Sequence, residues 1–140
     1  MNSNDDTRAP YEARRAIYEE LNLEQEVRVV SRRCCWGEEE RRDAERDYRD
    51  FLWLCYRYPD RAFPMLSRGA DQVWHEHILN TRKYADDCEK IFGRFLHHRQ
   101  FDEQDIPSPA QVAEALQLWE DEFGRRILHP DISCDYRVCM

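Results

Sequence analysis

Lysine is nearly absent from this chain: of 21 basic residues, only Lys83 and Lys90 are not arginine, and 29 acidic residues outnumber them to give a net charge of −8. A general nucleic-acid binder needs surplus cations to neutralise phosphates, so this balance argues against one. The guanidiniums are suited instead to forked pairs with the abundant Glu and Asp. No apolar run approaches the roughly 20 residues of a membrane span, so no membrane partner is expected. Met1 to Pro10 is polar and acidic, without the charged-then-apolar layout of a secretion signal, which makes the cytoplasm the expected compartment. Glycine is also scarce, at four residues, and no Gly-rich phosphate loop, GxSxG elbow or paired CxxC is present. His75-Glu76 does not open an HExxH pair, because position 79 is Leu.

What the chain does have is apolar and aromatic substance. Its hydrophobic fraction is 41%, with Trp 4, Tyr 7 and Phe 6, too much for a disordered chain. A length of 140 residues suits one domain with one core. Six cysteines, at 34, 35, 55, 88, 134 and 139, read as reduced thiols or metal ligands in the absence of a secretion signal. Cys134 and Cys139 are the candidate reactive thiols, and the pair expected to join if a disulfide forms.

The apolar spacing predicts an all-α fold of five or six helices. Pro10 suits a first turn and precedes Ala13, Ile17 and Leu21; Val27, Val30 and Cys34 repeat the stripe. Glu38, Glu39 and Glu40 suit a helix N-terminus, followed by a face of Ala44, Tyr48, Phe51, Leu52 and Cys55 that Pro59 ends. Residues 59–69 read as a loop. A short helix from about Ala70 to Leu79 is followed by one from Thr81 carrying Tyr84, Cys88, Ile91, Phe92 and Phe95 on one side. Ser108, Pro109 and Gln111 form an N-cap, first-turn proline and capping box for a last helix, with Val112, Leu116 and Trp119 inward and Gly124 as its stop. The expected organisation is a flexible stretch over 1–9, a single helical domain over 10–128 and a Cys-containing tail over 129–140.

Between residues 71 and 98 lie four of the five histidines and one cysteine, the side chains that bind zinc and similar transition metals. The candidate ligands are His75, His77, Cys88, His97 and His98, with Asp71, Trp74, Tyr84 and Asp87 as supports around them. Helical geometry limits the set. His75 and His77 stand about 200° apart on a helix, so both cannot face one metal. Cys88 and His98 would be about 15 Å apart on a continuous helix, so a shared metal needs a bend at Gly93. The same residues also suit plain packing: Tyr84, Cys88, Ile91, Phe92 and Phe95 form a buried face, and histidines near helix ends bond carbonyls or acidic neighbours.

The segments Asp47 to Leu54, Asp71 to Cys88, Ile91 to His98 and Trp119 to Gly124 resemble the glycine-rich domain-containing protein-like family, small bacterial proteins related to a domain of larger plant and fungal proteins. The resemblance spans about residues 45–125. It implies that Asp71, Trp74, His75, His77, Tyr84, Cys88, Gly93 and His97 or His98 form a recurring constellation. The chain departs from the family name in its few glycines and in a tail that keeps only Cys134 and Cys139.

Two functions of different class follow. One is a His/Cys metal-binding protein, with zinc the expected ion, able to activate water if a coordination position stays open. The other is a non-catalytic module for a protein or peptide partner, in which the His/Trp/Tyr/Cys cluster only joins helices. A metal site needs His77 and Cys88 within a few ångströms of each other and a further donor nearby.

Overall fold

The computed structural model describes residues 8–61, 63–97 and 107–127. Among them the elements are all helical: α1 (Pro10–Arg15), continuing into a π turn over Ala16–Glu20, α2 (Glu24–Cys34), α3 (Glu38–Arg57), α4 (Arg68–Leu79), α5 (Thr81–Phe92) and α6 (Pro109–Phe123). They make a single compact all-α domain, as the apolar spacing predicts. No helix among the described residues is long and apolar enough to cross a membrane.

The helix ends follow from local chemistry. Glu40 reaches back to the backbone N–H of Gly37 at 3.0 Å, opening α3. Ser67 accepts from Ala70 N–H at 3.2 Å and so starts α4 slightly earlier than the expected Ala70. At α6 the Ser108/Gln111 capping box forms as expected. Gly93 (φ 73°) and Gly124 (φ 66°) close α5 and α6 in the left-handed region, where a side chain would be strained. Cys35 closes α2 in the same region without being glycine.

α3 is the axis of the domain. Phe51, Leu52, Trp53 and Leu54 are buried in succession, so this part of the helix is covered on every side. α4 lies along it, with α2 and α5 packed on α4, and α1 bridging α3 and α5. The α3–α4 approach is close at Gly69, where an added Cβ would come within 2.8 Å of the Ala44 Cβ. The first stripe survives the π turn: Ala13, Ile17 and Leu21 are all buried. Two expected core positions differ. Cys34 is exposed because α2 ends beside it. Phe95 is 43% exposed because Gly93 turns the chain before the helical face reaches it.

Candidate functional site

α4 and α5 form a tight hairpin around Asn80, whose N–H bonds His77 O and whose carbonyl receives Tyr84 N–H. This turn sets His77 beside the start of α5. His77 is 1% exposed, and both of its ring nitrogens are engaged: Nδ1 lies 2.7 Å from Tyr48 Oη of α3, and Nε2 lies 2.8 Å from Asp87 Oδ2 of α5. A carboxylate only accepts, which assigns the proton to Nε2. Tyr48, fully buried, then donates its O–H to the Nδ1 lone pair. One imidazole thus ties three helices.

Asp87 Oδ2 also accepts from Lys83 Nζ at 2.9 Å, and Lys83 reaches Glu26 Oε2 of α2 at 3.2 Å. Glu26 is 2% exposed, so the lysine supplies the opposite charge that its carboxylate needs. Burial pushes the Asp87 carboxyl up, but the hydrogen bonds from His77 and Lys83 and the Lys83 charge outweigh it, and its pKa falls below the ordinary carboxylate value. A carboxyl depressed on folding stabilises the fold fully above its unfolded pKa, about 4, and loses that contribution as pH falls through its lower folded value. We therefore expect the stability gap between wild type and Asp87→Asn to be constant at neutral pH and to narrow below about pH 4, in urea denaturation across a pH series. A gap independent of pH would show that Asp87 is not ionically coupled to its neighbours.

The aromatic side of the cluster is equally closed. The Tyr84 ring meets His77 edge-on at 4.8 Å between centroids. Its hydroxyl accepts from Trp74 Nε1 at 2.9 Å and donates to Leu96 O at 2.6 Å. The Cys88 thiol is buried and bonded to Tyr84 and the Leu96 backbone; burial pushes its pKa up, away from the thiolate a metal would need. Burial likewise pushes Cys55, the expected last member of the α3 face, up to about 12.

Of the sequence candidates, His77, Trp74, Tyr84, Asp87 and Cys88 are brought into one contiguous cluster. His75 is half-buried, two positions along α4 from His77, and Asp71 is buried on the same helix. His97 is exposed and reaches the cluster only through Phe95, which stacks edge-on between it and Tyr84. His98, Cys134 and Cys139 lie outside the described residues. Among the described residues no three His, Cys, Asp or Glu side chains gather closely enough to hold a metal ion. The sequence reading missed Tyr48, Lys83 and Glu26. Lys83 was legible as the i,i+4 partner of Asp87, and Glu26 as a charge four residues before Val30 on the inner face of α2.

A family model described as UCP032817-like matches residues 13–120. The chain belongs to the UCP032817-like family. This corrects the resemblance to the glycine-rich domain-containing protein-like family; of the series that suggested it, Trp74, His77 and Tyr84 make contacts between helices. No curated protein and no solved structure matches the chain.

A second polar cluster ties the end of α6 to α3. Arg125 pairs with Asp47 at 2.9 Å and with Asp50, which also accepts from Tyr18 Oη at 2.6 Å. Ser67 Oγ donates to Asp47 Oδ2 at 2.8 Å. Burial raises the Asp47 pKa despite Ser67 and Arg125.

Proposed function

We propose that this UCP032817-like protein is a non-catalytic interaction module, in which the His77 cluster braces the helices from within and the acidic, arginine-rich surface meets a partner protein. The observation that carries this reading is the double engagement of His77. A metal takes an imidazole lone pair, and the one His77 has is already given to Tyr48. Cys88 supports the same reading, since its thiol is buried and held protonated. Neither group is presented to a substrate.

The test has two arms. Thermal unfolding of the wild type with chelator and with added zinc should give one midpoint, and crosslinking in the native cell should return a reproducible partner. A midpoint raised by zinc in the wild type but not in His77→Gln would favour the metal-binding reading instead. Crosslinks no different from background would remove the interaction reading.

A further inference from the structure

A cleft of about 180 Å³ opens between the end of α2, the first half of α3 and the start of α4. Its apolar lining is Trp36, Ala44, Gly69 and Ile127. Trp36 follows the left-handed turn at Cys35 and leans toward α4, its Cζ2 lying 3.8 Å from where a Gly69 side chain would begin. The polar rim is satisfied from within. Asp47 is held by Ser67 and Arg125, Glu40 accepts from the Gly37 N–H at 3.0 Å, and Asp43 pairs with Arg46 at 3.1 Å. Arg46, Arg68 and Arg125 match these three carboxylates in charge, so the rim selects neither a cation nor an anion. What the cleft offers an occupant is its apolar surface.

Ile127 points to the occupant. It is the last described residue, it is 6% exposed, and it is part of the cleft lining. Two residues earlier Arg125 is clipped to Asp47 at 2.9 Å, so the chain reaches the cleft from a fixed point. Residues 128–140 therefore begin at the cleft, and tethering raises their effective concentration there far above that of a free partner. They supply Leu128, Ile132, Tyr136 and Val138, and their charges, Asp131, Asp135 and Arg137, nearly cancel, as those of the rim do. The five residues from Leu128 to Ile132 span up to about 16 Å when extended, enough to cross a cleft of this size.

We propose that residues 128–140 of this chain fold back over the cleft, with Ile132 seated against Trp36 and Gly69. This goes beyond the interaction reading and does not rest on it. The occupant is the chain itself, which leaves a partner protein the charged surface outside the cleft.

The experiment is NMR on the isotope-labelled full chain, paired with fluorescence quenching. Nuclear Overhauser contacts are expected between the Trp36 indole protons and the Ile132 methyl groups. Trp53, Trp74 and Trp119 are at most 6% exposed whereas Trp36 is half-buried, so quenching by acrylamide reads Trp36. Ile132→Asp should raise that quenching and shift the Trp36 indole N–H and the Gly69 amide. The substitution changes no residue of the described core, so it separates docking from folding, and the wild-type contacts stand as a test without any variant. Absence of Trp36–Ile132 contacts would overturn the proposal, as would equal quenching in the two proteins. Contacts that run between molecules in a mixed labelled and unlabelled sample would also overturn it, by making the occupant a second copy.

Discussion

His77→Ala is expected to cost about 3–5 kcal/mol, the loss typical of breaking a buried charged or hydrogen-bonded constellation by removing one member. The substitution leaves the fully buried Tyr48 Oη without a partner and takes one bond from the partly buried Asp87. It also removes the ring that Tyr84 packs against. Against a total stability of about 5–15 kcal/mol for an ordinary domain, this is a large share. Tyr48→Phe in the same background separates the contributions, because it deletes only the hydroxyl and should cost about 1–3 kcal/mol in wild type. In the absence of His77 the same change should be nearly neutral, as its hydroxyl then has no acceptor. Urea denaturation followed by tryptophan fluorescence measures both. A loss below about 1 kcal/mol for His77→Ala would mean that the imidazole is not the brace its contacts describe.

The helices were legible because their caps and stripes are local. Ser108 with Gln111, Gly124 and the face from Ala44 to Leu52 each declare themselves within a few residues. The site was legible only in part, because its decisive contacts join residues far apart in sequence. His77, Tyr84, Asp87 and Cys88 sit on one hairpin and could be grouped by spacing. Tyr48 comes from α3 and reads in sequence as one more aromatic on a core face. Knowing that His77 and Cys88 are near one another did not reveal that the histidine lone pair is taken. That fact separates a ligand from a brace, and it depends on the register of α3 against α4, which close packing of Gly69 on Ala44 sets. Phe95 and Cys34 failed as core positions for a simpler reason: a stripe drawn by periodicity continues past the residue at which the helix stops.

Trp119→Ala is expected to cost about 3–5 kcal/mol, the range for emptying a buried aromatic site, and to loosen α6 as a unit. α6 fully buries Val112, Ala115 and Trp119, with Leu116 and Phe123 partly buried against the same core, and its remaining ties are polar. Glu122 meets Trp53 Nε1 at 3.3 Å, Glu114 meets Arg61 at 3.1 Å, and Arg125 clips the helix end to Asp47 and Asp50. The exposed Arg61–Glu114 pair contributes little, so the apolar anchor and the Arg125 clip carry most of the docking. Hydrogen exchange should therefore accelerate across Pro109–Phe123 in Trp119→Ala before it does in α3. Trp119→Phe sharpens the expectation. The indole Nε1 is buried with no acceptor among the described residues, so removing it relieves a desolvation penalty of about 1–3 kcal/mol that offsets the lost ring area. The phenylalanine variant should thus retain most of the wild-type stability. If both substitutions were equally damaging, the indole N–H would have to be making a bond that the described contacts do not contain; if neither were, the attachment of α6 would rest on the largely buried Arg125 pairs with Asp47 and Asp50, which added salt screens little.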